Sequence, residues 1–522
     1  MLERTSLLSW HARSLFLLIA LFPACTASAQ LRDVQQRTAK GILEGAISAD
    51  GQVRMFRGIP YAAAPVGRLR WRAPQPVAPW RGVRKAHDFA PRCMQTGDWN
   101  FRDPGPSEDC LYLNVWMPAE PKQPRLPVMV WIHGGGFVSG AASEPRQDGS
   151  NLSRKGVIVV SMNYRLGIFG FFSHPDLDRE SGHNASGNYG LLDQVAALQW
   201  VKSNVAKFGG DPDNVTIFGE SAGSISVSGL MASPLARGLF RRAIGESGSF
   251  FRRHHSHSEM EKTCVEFAKS VLKADSVDKL RAISAAELLQ ATSTQGTPGF
   301  GPATDGYFLP ETVDAIFAAG KQNHVALLAG WNADESGYRD VFGNDEPTPE
   351  ALAVHVRDLY GANADTILKL YSAQNSAEAK RAAADLASDR FIAFSTWKWM
   401  ELHRETGGSA VYRYRFDQTL PLPAGAQPHG AEPAAPHAAD IEFVFRTLSA
   451  KDLPWRPADY ELSELMAAYW TNFAKTGDPN GEGLPHWPLY KQDENQVMHL
   501  SAHPAVAPDD QRERYRFLDR IR

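Results

Sequence analysis

Two short runs in the first third of the chain are apolar throughout: Val128-Met129-Val130-Trp131-Ile132 and Val157-Ile158-Val159-Val160. A strand with one wet face alternates apolar with polar residues, whereas one covered on both faces does not, so both runs predict buried parallel strands. Downstream the period changes. Leu191, Val195, Leu198, Val201, Val205 and Phe208 recur at helical spacing, and Gly209-Gly210 ends the pattern. A further strand, Val215-Thr216-Ile217-Phe218, runs directly into Gly219-Glu220-Ser221-Ala222-Gly223 and then a run of small residues. Strand, helix, strand, sharp turn and helix form a βαβα succession. It predicts an α/β fold with a mostly parallel central sheet and helices on both faces. The stretch from about 345 to 405 is Ala-rich and charged and predicts inserted helices above or beside the sheet, while Pro421 to Pro436 reads as a loop.

The glycine–serine turn carries the first candidate chemistry. Between a strand and a helix, its central serine is forced into a strained backbone conformation, and the flanking glycines leave room for a close chain crossing. The hydroxyl is thereby held at the top of the sheet near the positive end of a helix. Ser221 is thus a candidate nucleophile. The nearest competing pattern, Gly245-Glu246-Ser247-Gly248-Ser249, lacks the last glycine.

Composition changes this picture little. The 522 residues are 43% hydrophobic and 22% charged with a net charge of −3, an ordinary globular balance with no basic footprint for nucleic acid. At the N-terminus, Arg4 and Arg13 precede the apolar run Leu15 to Ala24, and Ala27-Ser28-Ala29 offers small residues for cleavage before Gln30. Residues 1–29 therefore read as a secretory signal peptide, with lipidation of Cys25 as the rival reading, and 30–522 as a single catalytic domain. No later segment is apolar for about eighteen residues, so stable membrane insertion is not expected. An exported chain admits disulfides, and Cys93 and Cys110 would close a short loop rich in Gly, Pro, Asp and Trp; Cys264 reads as a buried free thiol on a helix. No Cys/His spacing suggests zinc.

Several further words accompany these features in order: Phe56-Arg57-Gly58-Ile59-Pro60-Tyr61, Ser107-Glu108-Asp109-Cys110-Leu111-Tyr112-Leu113-Asn114-Val115, His133-Gly134-Gly135-Gly136-Phe137, Asn163-Tyr164-Arg165-Leu166-Gly167 and Gly187-Asn188-Tyr189-Gly190-Leu191-Leu192-Asp193-Gln194. From about residue 38 to 490 the chain resembles the type-B carboxylesterases, the α/β-hydrolases that include para-nitrobenzyl esterases and cholinesterases. The second disulfide of cholinesterases is absent, since Cys264 has no partner. The resemblance places the acid after the strand Ala326-Leu327-Leu328-Ala329-Gly330, at Glu335 rather than its neighbour Asp334, which is expected to hydrogen-bond the turn. It places the base at His437, in His437-Ala438-Ala439-Asp440-Ile441-Glu442-Phe443-Val444-Phe445, rather than at His429, which has no apolar run behind it. The implied oxyanion donors are the N–H groups of Gly135, Gly136 and Ala222, and His133 is expected to organise the glycine loop.

These assignments imply ester hydrolysis through a Ser-Glu-His triad, acting on a small-molecule ester without metal or organic cofactor. Glu220 is expected beside the site, ordering water or hydrogen-bonding. Arg252-Arg253-His254-His255-Ser256-His257 lies where relatives form the acyl pocket. His254 and its neighbours would make the pocket polar and admit an acyl group carrying a carboxylate or other polar groups, unless the stretch is a solvated loop. Amide or thioester cleavage by the same triad, or a binding-only role, are the alternatives.

Overall fold

The computed structural model describes residues 33–97, 99–251, 255–294, 296–422, 434–491 and 495–521. The expected leader, Arg252 to His254 and His429 lie outside the described residues. Among the described residues, thirteen strands form one sheet. They are β1 (Asp33–Arg37), β2 (Ile42–Ile47), β3 (Val53–Pro60), β4 (Val83–Lys85), β5 (Tyr112–Pro118), β6 (Leu126–Ile132), β7 (Ile158–Met162), β8 (Gly210–Glu220), β9 (Arg242–Glu246), β10 (Ala326–Asn332), β11 (Val411–Phe416), β12 (Gln496–Leu500) and β13 (Ala505–Pro508). Their order is β1-β2-β3-β5-β7-β6-β8-β9-β10-β11-β12-β13, with β4 beside β2. From β7 through β12 every neighbouring pair is parallel, and the two ends of the sheet are antiparallel apart from the parallel β2–β4 pair.

The all-apolar strands are buried on both faces, as expected. In β6, Val128, Val130 and Ile132 enter one core and Met129 and Trp131 the other. The first core includes Leu191, Val195, Leu198 and Val201 of α2 (Tyr189–Asn204), which follows the short α1 (Pro175–Ser181), together with Ile225 and Val227 of α3 (Ala222–Ala232). The second takes Leu462, Met466 and Trp470 from Pro457–Thr476. Burying a side chain of this size contributes roughly 1.5–3 kcal/mol, so the period-2 alternation holds the strand between two layers. The helix α2 runs on as a 3-10 turn to Phe208 and stops at Gly209, whose φ of +79° is the left-handed C-terminal conformation that glycine supplies.

Two segments shape the surroundings of the site. The 345–405 region is helical as expected: Pro349–Tyr360, Ala364–Leu370, Ser376–Ser388 and Phe394–Thr406, with a π-helical turn at Asp389–Ala393 joining the last two. Cys93 and Cys110 are bonded, closing the loop between them, and Cys264 is a buried free thiol on α4 (His257–Ser270). Burial raises that thiol to about 12, so it stays protonated.

Candidate active site

Ser221 links β8 to α3 with φ 54° and ψ −119°, a conformation that non-glycine residues avoid. The flanking glycines are sterically required. A methyl group at Gly223 would lie 1.9 Å from the Ile132 carbonyl oxygen, and one at Gly219 would lie 2.6 Å from the same atom. The turn therefore crosses directly over the end of β6. The glycine loop begins there, and Gly135 (φ 102°) and Gly136 (φ 62°) both have left-handed backbone. Gly135, Gly136, Ser221, Ala222 and His437 line one cavity of about 640 Å³. Among the described residues, the N–H groups of Gly135, Gly136 and Ala222 donate to no protein atom.

The three far-separated candidate side chains converge. His437 Nε2 is 2.9 Å from Ser221 Oγ, and His437 Nδ1 is 2.5 Å from Glu335 Oε2. The other Glu335 oxygen accepts from the Asn332 backbone N–H at 2.6 Å and from Ser247 Oγ at 2.5 Å. Asp334 is not the partner of His437; instead of bonding its own turn as expected, it reaches other segments, its Oδ2 accepting from the Ala435 N–H at 2.9 Å and its Oδ1 pairing with Arg381 at 2.5 Å. Asn332 Nδ2 donates to the Pro436 carbonyl at 2.9 Å. Through these bonds the loop after β10 holds the loop bearing His437. Phe391, from the π-helical turn, packs edge-on to the imidazole at 5.1 Å. His133 is buried, stacks on Tyr164 at 4.4 Å and meets the Gly134 carbonyl at 2.8 Å. Burial holds its pKa down at about 4, so it stays neutral within the glycine loop.

Buried acids surround the imidazole. Glu220 Oε1 lies 3.2 Å from His437 Nε2. Burial raises the Glu220 carboxyl to about 8, against the pull of His437. Burial also lowers the affinity of His437 for a proton, but Glu220 and Glu335 outweigh it and raise its pKa to about 9. Asp440 accepts from Tyr414 at 2.9 Å and Asn332 at 3.3 Å, and burial with Glu335 nearby raises it to about 6. Glu246 accepts from Trp470 Nε1 at 2.7 Å, and burial raises its carboxyl well above the usual range.

Sequence reasoning missed Ser247, Asn332 and Asp440 as members of the site. Ser247 belongs to the competing serine pattern and has φ 55° at the end of β9, the strand between the nucleophile and acid strands. Its signal was the pattern itself, which recurs because a second parallel strand ends in the same kind of turn. The cavity wall away from the serine pairs Glu144 with Arg146 at 2.7 Å and Glu442 with Lys451 at 2.9 Å. Ile225, Phe391 and Ile392 supply apolar lining. Trp99, 40% exposed, lines the same cavity from the disulfide-closed loop. His254, proposed for the acyl pocket, lies outside the described residues.

Residues 32–518 match the family model described as the carboxylesterase family. The fumonisin B1 esterase of Sphingopyxis macrogoltabida is 36% identical over 483 residues, covering 88% of this chain and 84% of that protein. The para-nitrobenzyl esterase of Bacillus subtilis is 36% identical over 490 residues, covering 90% and 95%. A solved PNB esterase structure superposes with a TM-score of 0.80 at 34% identity, covering 92% of this chain and 98% of that one. A Geobacillus stearothermophilus carboxylesterase gives 0.80 at 34%, covering 92% and 99%.

Proposed function

Because the chain belongs to the carboxylesterase family and is a carboxylic ester hydrolase, we propose that it works through Ser221, His437 and Glu335 by way of an acyl-enzyme. His437 Nε2 takes the Ser221 proton as the hydroxyl attacks the ester carbonyl. Glu335 keeps the Nδ1 proton in place and stabilises the imidazolium. The N–H groups of Gly135, Gly136 and Ala222 receive the oxyanion, with glycine allowing backbone this close to substrate. The alcohol leaves with the proton from His437, and water then attacks the acyl-enzyme by the reverse sequence. The observation that carries this reading is the imidazole bonded on one side to a buried carboxylate and on the other to a strained serine.

Competition between acceptors tests the covalent intermediate. In the presence of methanol, para-nitrophenyl acetate and phenyl acetate pass through the same acetyl-enzyme, so both give one ratio of methyl acetate to acetate. Ratios that follow the leaving group would rule the intermediate out. The matching anilide and thioester, run in parallel, separate esterase from amidase and thioesterase chemistry, and an inert wild type would favour a binding-only role.

The protonation state of His437 sets the pH profile. Only neutral imidazole can accept the serine proton, so kcat/KM rises with pH through the raised pKa of about 9. Glu220→Gln removes a negative charge 3.2 Å from Nε2, lowers that pKa and moves the rising limb about one unit toward acid. The measurement is kcat/KM for para-nitrophenyl acetate across pH; an unmoved limb excludes Glu220 as the source of the shift.

Residues 30–522 are proposed as a single catalytic domain, exported after removal of 1–29. The bonded Cys93–Cys110 pair supports export. Among the described residues, no helix is long and apolar enough to cross a membrane. Small esters are the substrate class. Arg252, Arg253 and His254 of the basic stretch support a polar or carboxylated acyl group, which hydrolysis of a hemisuccinate ester beside its neutral analogue decides; His257 is not among them, since it pairs with Asp178 at 2.8 Å and does not line the cavity.

A further inference from the structure

Away from the catalytic cavity, His257, Glu261 and Asp178 each offer a ligand atom, and these atoms lie within 4.8 Å of one another. We propose that they form a structural zinc site clamping α1 to α4. His257 and Glu261 are one helical turn apart at the start of α4 and so share a face, the i,i+4 spacing at which two side chains converge on one ion. Asp178 comes from α1, with Oδ2 2.8 Å from His257 Nε2. One imidazole nitrogen and two carboxylate oxygens make three protein ligands of the types zinc takes. Water completes the tetrahedron, an open set with one protein ligand fewer than structural zinc sites usually have. The imidazole argues against calcium and magnesium, which take oxygen alone.

The surroundings suit ligand positions. Ser186 Oγ donates to the other Asp178 oxygen at 2.5 Å, and Ser173 Oγ, itself 2.9 Å from Ser186 Oγ, lies 3.5 Å from His257 Nδ1. These hydroxyls fix the carboxylate plane and the ring orientation, as the outer shell of a metal site does. The side chains of Asp178 and His257 are only 15% and 22% exposed, and Glu261 sets a second carboxylate close to Asp178, so the two negative charges repel. A dication bound between them removes that repulsion and ties two helices into one unit. None of the three lines the catalytic cavity, so the proposed role is structural. The Cys/His spacing rule misses this site because Asp178 lies 79 residues from His257.

The test uses the full mature chain, stripped with EDTA, desalted and divided among zinc, calcium, magnesium and cobalt. The zinc sample is expected to retain one equivalent after gel filtration, read by elemental analysis. At a hundredfold excess over Kd its Tm should rise by on the order of 3 °C. Cobalt should give the strong visible bands of a four-coordinate ion. His257→Ala and Glu261→Gln are each expected to retain at least tenfold less zinc, with esterase turnover unchanged. Wild-type protein that retains under a tenth of an equivalent overturns the site, and so do variants that retain the wild-type amount. An equal Tm rise with calcium overturns the assignment to zinc. If neither variant folds, the stripped and reloaded wild type and its cobalt spectrum still decide.

Discussion

Replacing Ser221 by Ala lowers kcat for para-nitrophenyl acetate by about 10⁶-fold, with the fold intact. The size follows from how the site divides its labour. Without the hydroxyl, neither the imidazole nor Glu335 has a nucleophile to serve, so one substitution removes the work of all three residues. What survives is the oxyanion loop and substrate binding, which together sustain about 10³- to 10⁴-fold over the uncatalysed reaction. Stability is the control. Alanine keeps a Cβ at φ 54°, so the Ala variant carries the same backbone strain and should melt like the wild type. Ser221→Gly removes that Cβ and should melt higher while being equally inactive. Turnover in the Ala variant within tenfold of wild type would remove Ser221 from the nucleophile's role.

The second large effect is that of Glu335→Gln, a change of one atom type at constant shape. Oε1 already accepts from the Asn332 N–H and the Ser247 hydroxyl, and Oε2 accepts from His437. Glutamine has only one oxygen for these donors. Turned toward His437, it leaves its amide N–H groups against a backbone N–H that cannot rotate away, a buried unsatisfied contact costing roughly 1–3 kcal/mol. Turned toward Asn332 and Ser247, it satisfies both but presents N–H to His437 Nδ1. The second arrangement is the favoured one, and it forces the imidazole proton onto Nε2, where it faces Ser221 and blocks proton abstraction. A fall of about 10⁴-fold in kcat with KM unchanged is expected. Steady-state kinetics on folded protein check it, and a loss below tenfold would show that the tautomer is set elsewhere.

Much of this site was legible because its chemistry is written in local patterns. The βαβα succession comes from a change of hydrophobic period. The nucleophile turn comes from two glycines whose missing side chains admit the end of β6. Glu335 and His437 were found by resemblance, and in the structure they meet. Ser247 and Asp440 could not be found in that way. Ser247 touches Glu335 across 88 residues only because β9 lies between β8 and β10, and strand order is not spelled in any single strand. Asp440 sits in the recognised histidine loop, yet its two partners, Tyr414 and Asn332, come from neighbouring strands. The antiparallel ends of the sheet escaped for the same reason. Patterns report which face of an element is buried, whereas the identity of the neighbour depends on chain topology.

The catalytic groups hang from ends of a parallel sheet, but part of the doorway is secured differently. Trp99 and Asn100 border the cavity from the loop that Cys93 and Cys110 close, and Arg102 anchors this loop to Asp148 at 2.8 Å and to the Ser143 carbonyl at 3.0 Å. In a reducing compartment the covalent tie, contributing about 3 kcal/mol in the chain-entropy picture, is lost while the sheet and its serine stay in place. Such an enzyme would keep its chemistry and lose definition at its entrance. Redox conditions would then act on which esters are admitted, through KM, and leave the rate at which a seated ester is cut unchanged.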